Sequence, residues 1–353
     1  MAEKIKRSRL GYGSSYRKGG KEDLGKKGEI DAVLGGQVWM VKPDKDAKAA
    51  GQPLCDFLGG RTREQIQVYN TCAGPNYVSK TAAVRPDNFG TQERQSSENK
   101  YDDLNGFLHN PEDLAASLME MGIFSMKIWP LDLAAGAADG IDISLTDLKK
   151  GIEPFEMIRK AHGDKMRLKA ELHGLWSLNA AKKIARALEP LDIDWIEDPV
   201  WMDRTNELAE LANATSVPLA GGETLAGLGQ FKSLVDDGNI GTPIMDVVWA
   251  GGITAARKIA ALAEARARPI AFHDCSGPVT LAVSTHLALS LPNVREQEIA
   301  RGFYYNWYQD FVDTLPPINA GMITVSDRPG LGLDLLPDVF NRPDAIHRIS
   351  RHS

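Results

Sequence analysis

The chain reads as an α/β protein built on a TIM-type barrel, and three observations carry that reading. From about Gln65 onward, short apolar runs alternate with segments of helical periodicity. Eight such units occupy roughly 250 residues, the usual size of one (β/α) barrel. Three glutamates, Glu171, Glu197 and Glu223, stand 26 and again 26 residues apart, each closing an apolar run. That interval suits one strand, one helix and their loops. It predicts three carboxylates at the same height on three successive parallel strands.

The strands are expected at 66–71, 125–129, 166–173, 193–197, 217–221, 244–248, 269–273 and 294–298. The segments between them read as helices. After the third strand, Ser177 is a candidate N-cap, and Ala181, Ile184, Ala185 and Leu188 make one apolar stripe. After the sixth, Ile253, Ala256, Ala260 and Ala263 repeat the pattern. Residues 1–27 are basic and Gly-rich with little periodicity, which reads as a solvated tail rather than a nucleic-acid arm. Pro316-Pro317 ends the barrel pattern, and 323–332 reads as a strand and turn outside it.

Composition excludes several classes. A net charge of −6 supplies no overall attraction to nucleic acid or to an anionic membrane. No apolar run reaches the length of a membrane span, and no apolar segment follows the basic N-terminus. Cys55, Cys72 and Cys275 are scattered, without disulfide or metal spacing. A cytoplasmic protein with neither nucleic-acid nor membrane partners is expected.

Three oxygen ligands on adjacent strand ends suit a hard divalent cation such as Mg²⁺. Strand alternation puts His173 on the same side as Glu171, nearer the barrel mouth. Asp246 follows Glu223 by 23 residues, and His273 follows Asp246 by 27, so this carboxylate and imidazole are expected on adjacent strands. Hydrogen-bonded together, they make a general base that works near neutral pH. Glu298 is expected to face the substrate opposite the metal, with Glu296 the competing choice at the same parity. Lys127 is the cation placed to balance the acidic site, while Lys169 reads as a charge partner inside the barrel. A divalent cation beside a histidine base suits removal of the proton α to a carboxylate, and a second histidine near the β-carbon would make the reaction a dehydration. Tyr304, Tyr305, Trp307 and Tyr308 line a sugar site or pack, and nothing requires Cys275 as a nucleophile.

At these residues the chain resembles the enolase superfamily, specifically its mandelate racemase subgroup, over about residues 47–334. The carboxylate ladder carries the resemblance, with Ile196-Glu-Asp-Pro199, Gly221-Gly-Glu223, the Asp246/His273 pair, Gly251-Gly-Ile253, Leu58-Gly-Gly60 and Pro329-Gly-Leu-Gly332. It implies a (β/α)₇β barrel with an α+β capping domain, one essential Mg²⁺, and a homo-oligomer. Racemases of this subgroup use Lys-x-Lys on the second strand; here Lys127 holds the first position and Trp129 the second. Glu171-Leu-His173 is instead similar to the acid-sugar dehydratases, which implies His273 as base and His173 as acid, or the reverse. Most relatives place aspartate where Glu171 stands.

By the same resemblance, 1–65 forms a shortened capping region and linker, 66–315 the barrel, and 316–353 a C-terminal segment returning to the cap. The family's helix motif is disrupted around 30–39, and its three-stranded sheet has no counterpart in 1–27. The implied function is dehydration of a sugar acid to a 2-keto-3-deoxy acid. The alternatives are a cycloisomerase or epimerase of an acid sugar, and a remnant impaired by its short cap.

Overall fold

The computed structural model describes residues 30–34, 37–75, 99–342 and 345–347, so the basic segment 1–27 lies outside the described residues. In chain order, β1 (Ile30–Leu34), β2 (Gln37–Met40), α1 (Val41–Ala49) and α2 (Leu54–Phe57) come first. The barrel opens with β3 (Ile66–Thr71), α3 (Asp103–His109), α4 (Pro111–Glu120), β4 (Ser125–Ile128), α5 (Asp132–Ala138) and α6 (Leu145–His162). Next are β5 (Arg167–Glu171), α7 (Leu178–Leu188), β6 (Trp195–Glu197), α8 (Thr205–Ala214), β7 (Leu219–Gly221) and α9 (Gly227–Asp236). It finishes with β8 (Thr242–Met245), α10 (Val247–Ala250), α11 (Ile253–Glu264), β9 (Ile270–Phe272), α12 (Pro278–Ser290), β10 (Val294–Ile299) and α13 (Arg301–Tyr304). Short strands β11 (Ile318–Asn319), β12 (Met322–Ile323) and β13 (Ala345–His347) complete the chain.

Strands β3 to β10 run parallel in sequence order, and β10 pairs back onto β3 through Glu298 opposite Tyr69, closing a TIM-type barrel. All eight expected strands are present, the first with the expected bounds and the others with ends moved by one to three residues. Two of these differences have a clear cause. The third stops at Glu171 because His173 takes a left-handed backbone, φ 47°. The sixth is shifted toward the N-terminus: Asp246 accepts bonds from Val248 N (2.8 Å) and Trp249 N (3.2 Å), and this cap starts α10.

The helices follow their patterns. Ser177 caps α7, and Ala181, Ile184, Ala185 and Leu188 are buried, with each large side chain worth roughly 1.5–3 kcal/mol. Helix α12 is apolar on every face because it lies between the barrel strand β10 and the elements α2 and β2 outside it.

Residues 30–34 and 37–40 do not form the helix whose motif is disrupted there. They form β1 and β2 of an antiparallel sheet, with β13 on the other side of β1. Two apolar runs around Gly35-Gly36 are a hairpin sequence, which explains the strands. The C-terminal segment also pairs Met322 and Ile323 antiparallel with the first residues of β3. Its Pro329–Gly332 turn is fastened to the linker: Leu54 N donates to Gly330 O (2.8 Å), and Leu331 N donates to Asp44 Oδ1 (2.7 Å). No described helix is long and apolar enough to cross a membrane.

Candidate metal centre and acid–base site

Glu171 and Glu197 are the last residues of β5 and β6 and stand opposite each other in register. Glu223 reaches the same place differently. It lies two residues past β7, delivered by Gly221 and Gly222 at φ 144° and 116°. A Cβ on Gly221 would stand 2.1 Å from Asp198 Oδ1, so only glycine lets this loop pass. One carboxylate oxygen from each glutamate lies within 4.8 Å of the other two.

Crowding three acids at a buried strand end has an electrostatic consequence. Burial and the neighbouring charges hold the Glu197 carboxyl well above the usual range, and burial with Glu171 raises Glu223. Lys127 partly offsets this. Its Nζ lies 3.0 Å from Glu171 and 3.0 Å from Glu298 and also bonds Glu197. Glu171 is buried, yet Lys127 and His173 hold it down at about 2. Its extra methylene lets the carboxylate fold back onto its own chain. Oε1 accepts from Leu172 N (3.0 Å) and His173 N (2.7 Å), pinning the left-handed turn.

This donor set fits Mg²⁺. The three groups are all carboxylates, they converge, and their mutual repulsion calls for a cation beyond Lys127, whose ion pairs go to Glu171, Glu197 and Glu298.

The Asp246/His273 pair forms as expected, with His273 Nδ1 2.9 Å from Asp246 Oδ2. Besides the two amides it caps, Asp246 accepts from Ser276 Oγ at 2.5 Å. The carboxylate therefore cannot swing away from the ring. The other nitrogen, Nε2, lies 3.4 Å from Glu223 Oε2. Against burial, Glu223 and Asp246 raise His273 well above the usual imidazole range.

On the other flank, His173 Nδ1 lies 2.5 Å from Oδ2 of the fully buried Asp132, the first residue of α5. Burial pulls this ring down, but Asp132 and Glu171 lift it to about 9, while burial pushes Asp132 up to about 6. Trp129 stands edge-on to it, centroids 5.6 Å apart.

Glu298 lies in the layer of Lys127, and Glu296 lies below it. Glu298 accepts from Thr71 Oγ1 and from Asp274 N (3.0 Å) beside Lys127. Glu296 lies one inward position deeper with Lys169 (3.0 Å) and Arg167. Lys169 also pairs with Asp194 at 2.9 Å, so it is the internal partner. The aromatic cluster supports from behind: Tyr308 OH donates to Asp274 Oδ1 (2.8 Å), and Tyr304 OH to Pro316 O (2.9 Å).

Sequence reasoning missed Asp132, Ser276 and Thr71. Thr71 was findable, since it ends the first strand at the parity of the inward Tyr69. Asp132 and Ser276 lie outside the strands, where no periodicity points to a partner.

A parallel barrel with three carboxylates at its C-terminal mouth and imidazoles on either side has the donor set that metal-assisted acid–base chemistry requires. The chain belongs to the enolase C-terminal domain-like family, whose profile matches residues 111–339, more than half its length. It is 28% identical to a D-galactonate dehydratase of Variovorax paradoxus (strain S110), covering 97% of this chain and 81% of that protein. A D-galactonate dehydratase of Xanthomonas oryzae pv. oryzae (strain PXO99A) is 29% identical over the same shares. Among solved structures, an enolase of the mandelate racemase subgroup from Agrobacterium tumefaciens is 38% identical with a TM-score of 0.75, covering 93% of this chain and 80% of that one. An enolase from the Sargasso Sea environmental shotgun sequence is also 38% identical, with a TM-score of 0.73 over 87% and 73%.

Proposed function

We propose that this protein is a Mg²⁺-dependent hydro-lyase of sugar acids, removing the proton α to the carboxylate and expelling the β-hydroxyl as water to give a 2-keto-3-deoxy acid. The observation that carries the reading is the pair of carboxylate-held histidines, His273 and His173, on opposite flanks of the glutamate triad. Glu171, Glu197 and Glu223 would hold the ion. When bound, Mg²⁺ supplies Lewis-acid stabilisation of the negative charge that develops on the substrate carboxylate.

The chain's residues do the rest. Asp246 holds Nδ1 of His273, so Nε2 takes the α-proton. His273 Nε2 lies 3.4 Å from Glu223 Oε2, on the side of the ring that faces the glutamate triad. His173 gives its proton to the departing hydroxyl. Lys127, backed by Glu298, supplies a fixed cation at the mouth. Trp129 stands where a second lysine would serve a two-base racemase, and an indole cannot take a proton. D-galactonate is the first candidate substrate, because the curated relatives carry that activity in their names. The same reading includes a self-associating, cytoplasmic enzyme.

The test is incubation with a panel of aldonic and aldaric acids plus Mg²⁺, assayed for keto-deoxy acid. D-galactonate or a close stereoisomer is expected to react, with the rate falling roughly 10³-fold or more in His273→Asn. No keto-deoxy acid from any acid in the panel, or a His273→Asn protein at full rate, sinks the proposal.

A further inference from the structure

We propose that Asp132 is a positioning residue for His173, committing Nδ1 so that Nε2 is the nitrogen exchanging a proton with the substrate. The inference rests on the dehydratase reading above and adds to it the second half of a symmetric acid–base apparatus.

Asp132 is separated from His173 by 41 residues and sits where the chain leaves β4 and turns into α5. It is fully buried, and its Oδ2 lies 2.5 Å from Nδ1. Its other oxygen, Oδ1, is buried without a hydrogen-bond partner among the described residues. A buried carboxylate kept for folding is ordinarily bonded through both oxygens, because burial without partners is costly. Here the hydrogen bond of the side chain goes to the imidazole.

The ring is gripped from two further directions. Trp129 packs edge-on at 5.6 Å, and the backbone N of His173 donates to Glu171 Oε1 at 2.7 Å, holding φ at 47°. Backbone, ring edge and Nδ1 are thus all fixed, and Asp246 holds Nδ1 of His273 in the same way. In the step served, the Cα–H electron pair becomes the new C=C bond and the β C–O bond breaks toward oxygen. The Nε2 proton of His173 completes the water.

The test pairs chemistry with spectroscopy on the full-length protein loaded with Mg²⁺. In Asp132→Asn, exchange of the α-proton for solvent deuterium and KM are expected within a few-fold of wild type. Formation of keto-deoxy acid should fall roughly 10²-fold or more. Proton NMR of protein labelled with ¹⁵N-histidine should show a downfield Nδ1–H resonance that disappears in both Asp132→Asn and His173→Asn. The second such resonance, from His273, should persist. The inference is overturned if Asp132→Asn dehydrates at the wild-type rate, if exchange and dehydration fall together, or if the resonance survives. Should wild type turn over no acid in the panel, the dehydratase reading fails by itself, and the NMR arm alone still decides whether Asp132 fixes the ring.

Discussion

At the scale of single residues, the site is a problem of like charges brought together. Lys127 is the clearest case. Its ammonium touches Glu171, Glu197 and Glu298, and those attractions outweigh burial to hold it well above the usual lysine range. Lys127→Met should destabilise the metal-free protein by about 3–5 kcal/mol, since it leaves buried carboxylates without a counter-charge. Mg²⁺ should then raise the melting temperature more in the variant than in wild type, measured by thermal unfolding with EDTA and with Mg²⁺. Equal responses would show that Lys127 is not the charge holding the empty triad together. The residues of this layer were legible to very different degrees. Glu171, Glu197, Glu223, Asp246 and His273 are visible because each recurs at the length of one barrel unit. Asp132 and Ser276 are not, because a hydrogen bond across 41 or 30 residues leaves no periodic trace.

At the scale of elements, strand ends and their first loop residues aim the chemistry. Gly221 and Gly222 carry Glu223 forward, and the α10 cap turns Asp246 toward His273. A third histidine serves docking. His286, buried in α12, accepts a bond from Cys55 N in α2 at 3.1 Å, fastening the linker to the barrel. Burial lowers this imidazole to about 4. An imidazole depressed in the folded state is protonated first in the unfolded chain. Its contribution is therefore complete above about pH 6.5 and is lost as pH falls toward 4, by at most about 3 kcal/mol. His286→Gln keeps an acceptor for Cys55 but cannot titrate. Denaturant unfolding between pH 7 and pH 4 should show a shallower loss of stability in the variant than in wild type. Identical slopes would assign the acid sensitivity to other groups.

For the whole molecule, the barrel must close, and the closure carries a buried network of its own. Arg301, just past β10, bonds Asp103 at 2.8 Å through Nε and donates its backbone N to Asn70 Oδ1 at 2.9 Å. Asn70 Nδ2 completes the triangle onto Asp103 at 2.8 Å. The network ties α3 to the seam between β3 and β10, one residue from Thr71 and three from Glu298. Arg301→Met removes one partner of a buried pair and should cost about 3–5 kcal/mol in equilibrium unfolding. The seam should loosen with it, read as faster amide exchange in β3 and β10 than in β6. Uniform exchange throughout the barrel would argue that the seam is held by strand pairing alone.

The linear chain by itself determined the barrel, the order of its strands and the three metal-ligand candidates. Each depends on a period, and a period survives in one dimension. Folding alone decided that β1 pairs with β13 far along the chain, that Glu298 and not Glu296 shares a layer with Lys127, and that Asp132 stands behind His173. Those outcomes depend on which distant segments meet, and on how deep along each strand the charges fall. Neither is encoded in local spacing.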